Sequence, residues 1–303
     1  MGPDRPSSHP REEMRGTQNR VLATLVVAET TAVELSMQHE TVQAKRVRQG
    51  KRDHYLHNGL TQVEGWLDSR SAEIIAELGE YQETQGIRGA VGEIGVHHGK
   101  LFILLDLLKR DDEASFAVDL FEDQGSNVDR SGSGDYVQFS RNLEKFSRSA
   151  DQVNIFRRNS MNLKADEIMT FCGPVRLLSV DGGHTAACTL NDLKISETST
   201  AKNGIVIIDD YFNPSWPDVS VGVAQHMLLP ASRLRPFAIS PNKLYLARSH
   251  CHHDYRNVLR ERAGRYYLKT SVMYGHEVDT YGYDRSTIQC EPEFTVVFWP
   301  SKS

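Results

Sequence analysis

Between residues 70 and 250 the chain alternates two hydrophobic patterns. One is a short, nearly continuous apolar run that stops at glycine or aspartate. The other spaces its apolar residues three or four positions apart. Ser71–Tyr81 is of the second kind and puts Ile74, Ile75, Leu78 and Tyr81 on one face of a helix. Gly89–Gly95 (GAVGEIG) is of the first kind, as are Ser115–Asp119, Val153–Phe156, Val175–Val180 and Ile205–Ile208. Helical spacing fills the gaps: His98–Lys109 through Leu101, Leu104, Leu105 and Leu108, then Phe139–Phe146, Ala186–Ile195 and Val219–Leu229. A polar stretch at 122–135 reads as a loop. Leu234–Ile239 and Lys243–Arg248 read as a hairpin joined at Ser240-Pro241-Asn242.

Strands that are apolar throughout need cover on both faces, which a parallel sheet flanked by helices supplies. The expected fold is therefore α/β, Rossmann-like and doubly wound. Its sheet is mostly parallel and seven-stranded, with an antiparallel final hairpin. Residues 70–250 form the main domain. Residues 1–19, rich in Pro, Ser, Gly and charge, read as a disordered tail, and 20–69 as a helical N-terminal extension. Residues 251–303 read as an appendage, with a helix at Arg256–Arg265 and a strand at Phe294–Trp299, serving as a lid or as a dimer contact in a homo-oligomer.

Composition narrows the classes. The 303 residues carry a net charge of -5, so the chain as a whole has no field for nucleic acid or an anionic membrane. The apolar run Val21–Ala28 is far shorter than the ~20 residues that span a bilayer. A basic cluster, Lys45, Arg46, Arg48, Lys51 and Arg52, reads as a solvated helix end, with nucleic-acid or lipid contact as the alternative. The 4 cysteines, Cys172, Cys188, Cys251 and Cys290, show no CxxC spacing and fit a reducing, cytoplasmic compartment.

In a parallel sheet the ligand lies at the carboxyl ends of the strands. The first strand ends in Glu93-Ile94-Gly95-Val96-His97-His98-Gly99-Lys100. Its glycines allow a tight turn into a helix whose N-terminal N–H groups are free. The spacing is G-x-x-x-G, not the G-x-G-x-x-G of a dinucleotide enzyme, and Glu93 would repel a pyrophosphate. This speaks against an NAD-dependent oxidoreductase. The second strand ends in Asp119, a carboxylate suited to a ribose diol or to a turn cap. The third is followed by Arg158, Asn159 and Ser160, the fourth by Asp181-Gly182-Gly183-His184, and the fifth by Asp209, Asp210 and Tyr211. Converging aspartates repel one another unless a hard cation lies between them, and Mg2+ suits oxygen ligands. The bland alternative is that Asp210 caps a loop and one aspartate faces the cleft. His184 is a base, a ligand or a histidine near a helix cap. His250-Cys251-His252-His253-Asp254 looks like a metal tract but reads better as a solvent loop. Trp66, Trp216 and Tyr211 either wall an acceptor site or belong to the core.

These residues resemble those of the class I S-adenosylmethionine-dependent methyltransferases, in the branch of macrocin-type and novobiocin-type sugar O-methyltransferases. The resemblance runs from Leu60 to His250 and rests on GWL at 65–67, AVGEIGVHHGK at 90–100, AVDLFE at 117–122, SVDGGH at 179–184 and GIVIIDDY at 204–211. It implies that the loop from Gly95 through His97 to Gly99 beds the methionine part of S-adenosylmethionine, with Glu93 beneath it. Asp119 would hold the ribose, and Arg158, Asn159 and Ser160 would lie near the adenine. Asp181, Asp209 and Asp210 would hold Mg2+, with Asp181 near the reacting hydroxyl. The chain departs from that branch in the Gly-Gly-His after Asp181, so Asp181 and His184 both stand as catalytic candidates. The implied activity is O-methylation of a small-molecule acceptor. Transfer to nitrogen, carbon or protein, and a non-catalytic cofactor-binding module, are the alternatives.

Overall fold

A computed structural model describes residues 43–282, within two compact units, 1–50 and 51–303. In the first unit residues 43–50 are helical. The expected tail at 1–19 and the strand at Phe294–Trp299 lie outside the described residues. All that follows concerns the second unit.

That unit interleaves α1 (Ser69–Thr84), β1 (Ala90–Ile94), α2 (Lys100–Leu108), β2 (Ser115–Asp119), α3 (Tyr136–Phe146), β3 (Val153–Arg157), α4 (Ala165–Cys172), β4 (Val175–Val180), α5 (Ala186–Ser199) and β5 (Thr200–Asp209). It continues with α6 (Pro217–Met227), β6 (Leu234–Ser240), β7 (Lys243–Arg248), α7 (Ser249–Arg262), β8 (Tyr267–Met273) and β9 (His276–Tyr281). The strands form one sheet in the order β3-β2-β1-β4-β5-β7-β6-β9-β8. Strands β1 to β5 are parallel, and β7 joins β5 antiparallel, with Asp209 opposite Lys243.

The doubly wound α/β fold is as expected, but the described sheet has nine strands where seven were expected. The additional two come from the appendage: β9 pairs parallel with β6, and β8 closes the edge. Their alternation is weak, because β8 is partly exposed on both faces, and the sequence pattern does not reveal it. The helix expected at Arg256–Arg265 begins earlier, at Ser249, so the His250–Asp254 tract is helical and not a loop. Helix α4 was not expected; only its Ile168 is buried.

Period-two alternation along the central strands divides the core. Val91, Leu177, Ile205 and Ile207 belong to one apolar cluster with α1, α2 and α7. Ile94, Leu178, Val206 and Ile208 belong to the other, with α5 and α6. Arg176 looks misplaced within an apolar strand, yet it is fully buried. Its guanidinium meets Glu113 at 2.9 Å and Gln82 at 2.9 Å, so its charge is paired. No helix among the described residues is long and apolar enough to cross a membrane.

Candidate active site

The carboxyl ends of β1 to β5 open into a cavity of about 470 Å3. Its lining includes Gly95, His97, Asp119, Asp181, His184 and Asp210. A volume in that range suits a single ligand of drug size.

The turn after β1 is held from below and from the side. Gly95 has φ +83°, and a Cβ there would stand 1.7 Å from the Asp181 carbonyl oxygen. The backbone of the glycine turn thus rests on the backbone of the β4 turn. Asp119, at the end of β2, fixes the same loop. Its Oδ2 accepts N–H bonds from Val96 and His97, both 2.8 Å, and its Oδ1 accepts one from Phe121 at 2.7 Å. Burial pushes the Asp119 carboxyl up against the pull of these three bonds. Oδ1 accepts the Phe121 N–H and, as a carboxylate oxygen lining the cavity, keeps capacity for a further donor. Glu93 does not line the cavity. It is buried beneath the turn, and its Oε2 has no hydrogen-bond partner among the described residues. Burial and then the charge of Asp181 raise its pKa well above the usual glutamate value.

Asn159 and Ser160 line the cavity beyond β3. Asn159 Nδ2 donates to the Ser126 carbonyl at 3.3 Å, and Ser160 Oγ donates to Asp192 at 3.1 Å. Arg158 also lines it, with its guanidinium turned to Glu167 at 2.5 Å.

The three aspartates expected to share a cation all line the cavity, but one of them is held by a lysine. Asp209 is buried and bound to Lys243 Nζ at 2.5 Å, and it also accepts from Asn242 at 3.0 Å. The register that places Lys243 opposite Asp209 creates this pair. Among the described residues, the group close enough to share an ion is Asp181, His184 and Asp210, with ligand atoms within 4.8 Å of one another. His184 thus stands where Asp209 was expected. Its Nε2 lies 2.9 Å from Asp210 and 3.7 Å from Asp181, and its Nδ1 lies 3.0 Å from Asp129. Its backbone N–H also donates to Asp129. The ring stacks on Trp216, with centroids 4.4 Å apart and planes 16° apart.

Burial disfavours a charge on this ring, but the carboxylates of Asp181 and Asp210 outweigh it and raise the pKa to about 10. This arrangement favours the protonated ring, which donates from both nitrogens. Asp210 accepts from Asn213 and Asn242, both at 2.6 Å, in addition to His184. Among the described residues, the one ion-pair contact of the Asp181 carboxylate is His184 at 3.7 Å, and its side chain, 32% exposed, lines the cavity.

Asp129 escaped the sequence reading. It sits in the polar 122–135 loop, 55 residues before its partner, and no local motif marks it. Of the aromatic candidates, Trp66 and Trp216 line the cavity, Trp66 with 77% of its surface exposed and 5.4 Å from the His97 ring. Tyr211 does not: it is a buried core residue whose hydroxyl approaches Met273 Sδ at 3.6 Å. Among the described residues the His250–Asp254 tract gathers no metal set. His250 bonds Asn203 at 2.8 Å, His252 bonds the Pro236 carbonyl at 2.9 Å, and Cys251 is buried. Cys172, Cys188 and Cys251 are free thiols, and burial pushes Cys172 up to about 11.

Residues 93–211, which run from the end of β1 past the end of β5 and carry every cavity residue named above except Trp66, Asn213, Trp216 and Asn242, match a family model described as a methyltransferase domain. Among solved structures the chain is similar to the O-methyltransferase NovP, at 18% identity and TM-score 0.51, over 59% of this chain and 80% of that one. It also matches the calicheamicin methyltransferase CalS11, at 14% identity and TM-score 0.44, over 69% and 91% of the two chains. A third match is TomG from Streptomyces achromogenes, at 15% identity and TM-score 0.43, over 60% and 80%. The NovP likeness shows a shared fold. No curated protein matches the chain in sequence.

Proposed function

We propose that this chain, a class I methyltransferase by its matched domain and its fold, uses S-adenosylmethionine to methylate a hydroxyl of a small-molecule acceptor. The observation that carries the reading is the junction of Gly95, Asp119 and Asp181 at one cavity wall. A turn too tight for any side chain is locked by the acid of the next strand, and the carboxylate of Asp181 faces the same space.

The residues present fit the cofactor. Gly95 and His97 line the cavity, and the missing side chain of Gly95 lets the β4 turn pack against the 95–99 loop from the other side. That loop would take the methionine portion, Asp119 Oδ1 a ribose hydroxyl, and Asn159 and Ser160 the adenine edge. The bound cofactor supplies a methyl group on a sulfonium, already activated for transfer. The protein is then left with alignment and with a proton. Trp66 and Trp216 hold the acceptor from the cavity mouth. Asp181 Oδ takes the hydroxyl proton, because it is the cavity carboxylate least committed to other donors. His184 orients Asp210 and Asp181 as a donor and does not act as the base.

The expected Mg2+ is not supported by the donor set. Mg2+ favours an all-oxygen shell. Here Asp209 is neutralised by Lys243, and an imidazole stands with the remaining two carboxylates. No step of the reaction is assigned to that ion.

Titration calorimetry with S-adenosylmethionine, beside NAD as a control, tests the cofactor. A screen of hydroxylated acceptors with a methyl-labelled cofactor tests the transfer. Saturable binding of S-adenosylmethionine alone is expected. Binding of NAD in its place would defeat the proposal.

A further inference from the structure

Residues 122–135 run between β2 and α3 as a loop whose two ends lie together, the mark of an Ω-loop. Glu122 accepts the Tyr136 N–H at 3.0 Å, and a Cβ on Gly134 would stand 2.8 Å from Asp119 Oδ1. Just before the loop, Phe121 is fully buried against Tyr136 and Phe139, with ring centroids 5.4 Å away in each case. We infer that this loop is a lid on the cofactor side of the cavity, and that Asp129 is the positioning residue that latches it to His184.

Above its base, and among the described residues, the loop is hydrogen-bonded to the body of the fold at two places. One is the Ser126 carbonyl, which accepts from Asn159 Nδ2 at 3.3 Å, a long bond. The other is Asp129, whose two oxygens face different ways. Oδ1 accepts from the Ser131 N–H at 2.9 Å and from its hydroxyl at 2.5 Å, and so shapes the loop tip. Oδ2 accepts the His184 backbone N–H and lies 3.0 Å from Nδ1 of the same residue. The Asp129 side chain is 8% exposed, so these bonds are made largely out of water, where they are stronger. Arg130, beside it, has φ +57°, a backbone conformation that a non-glycine residue keeps only where its surroundings hold it. Held this way, the loop presents Gln124, Ser126, Asn127, Val128 and Ser131 to the cavity.

His184 belongs to both halves of the site. Its Nδ1 faces the lid, and its Nε2 lies 2.9 Å from Asp210 and 3.7 Å from Asp181. Closing the lid fixes the ring that orients the acceptor-side carboxylates, and opening the lid frees it. A ligand that stabilises the closed lid stabilises that ring by the same amount, because coupling between two sites is reciprocal. The cofactor is that ligand, a step that rests on the proposed function; the latch itself does not. The cofactor loads first, and the acceptor meets its carboxylates only beneath a closed lid.

The test uses the full chain and needs no acceptor. Arg130 is the one tryptic site in the loop, and a protease must draw the chain around it into an extended form that the latched tip does not allow. Limited trypsin digestion, with the new N-terminus at Ser131 counted by mass spectrometry, therefore reads the opening of the lid. Asp129→Ala should raise that cleavage rate about ten- to hundredfold, the range of a charge-assisted bond, and Asp129→Asn less. His184→Ala lies outside the loop and should raise it as well. The double variant should be no faster than the faster single variant, because both remove one contact. Urea midpoints show that the variants are folded, and Asp129→Asn with His184→Ala decides the matter if Asp129→Ala is not. S-adenosylhomocysteine should slow cleavage of the wild type about tenfold by holding the lid closed. Three results would overturn the inference: wild-type cleavage at Arg130 as fast as in the urea-unfolded chain, no response to His184→Ala, or effects that multiply in the double variant. Bound S-adenosylhomocysteine that leaves the cleavage rate unchanged would overturn the coupling. Failure of S-adenosylhomocysteine to bind at all would defeat the cofactor reading, and the variants alone would still decide the latch.

Discussion

A Cβ placed on Gly95 would come within 1.7 Å of the Asp181 carbonyl oxygen, so the turn after β1 and the turn after β4 are in backbone contact. Two further bonds reinforce that contact: Asp181 N–H donates to the Ile94 carbonyl at 2.7 Å, and Gly95 N–H to the Val118 carbonyl at 2.7 Å. Three strand ends are thereby joined. The surface that would receive the cofactor and the carboxylate that would receive the proton are positioned by the same few atoms. Displacement of one displaces the other.

Gly95→Ala is therefore expected to damage both halves of the site at once. Any Cβ must push the β4 turn away, and φ near +83° is itself unfavourable for alanine. Affinity for S-adenosylhomocysteine, measured by calorimetry, should fall at least tenfold. A variant that binds normally would show that the turn is not the cofactor bed.

Asp119→Ala removes the acceptor of three backbone N–H groups. An unsatisfied buried donor costs about 1–3 kcal/mol. The variant should lose both stability, seen as a lower urea midpoint, and cofactor affinity, by tenfold or more. Loss of affinity at unchanged stability would mean that Asp119 touches the ligand but does not support the loop.

Lys243→Met should be strongly destabilising, by about 3–5 kcal/mol, because it strands the buried Asp209 carboxylate. The double variant Asp209→Asn with Lys243→Met should recover much of the loss, since no buried charge is left unpaired. Equal instability of single and double variants, measured by urea unfolding, would refute this account of the pair.

Asp192 gives the fold a pH dependence. It is fully buried on α5, and burial pushes its carboxyl up to about 6 against the bonds from Ser160 and Asn191. The folded chain holds this proton more tightly than the unfolded chain. Its stabilising effect is therefore full below the ordinary carboxylate pKa near ~4, and is lost as the pH rises through about 6. Asp192→Asn should abolish that trend, shifting the stability difference in favour of the variant by up to about 3 kcal/mol between pH 4 and pH 7. Denaturant unfolding at three pH values measures it, and a shift of opposite sign would contradict it.

Much of this arrangement is legible in the sequence. The five parallel strands are apolar runs ended by Gly or Asp, and such ends lie at one edge of a parallel sheet. Gly95, Asp119, Asn159, Ser160, Asp181, His184 and Asp210 consequently all reach one cavity, whatever their separation in the chain. Contacts made across the fold are not legible. The removal of Asp209 from the acidic group depends on a hairpin register that brings Lys243 opposite it. The partner that holds His184 comes from a polar loop with no spacing rule. Glu93 looks like a cavity acid by position, but strand alternation turns it into the core beneath the turn. Strands β8 and β9 were missed because a partly exposed edge needs little apolar alternation.

The central claim is that the cavity above Gly95 and Asp119 binds S-adenosylmethionine and that Asp181 acts on the acceptor and not on the cofactor. Calorimetric titration of S-adenosylhomocysteine into the wild type and into Asp181→Asn tests it most directly. The account predicts saturable one-to-one binding in both, within about threefold in affinity, because Asp181→Asn keeps the backbone that supports the glycine turn. Absence of binding to the folded wild type would contradict it, as would loss of binding in Asp181→Asn alone.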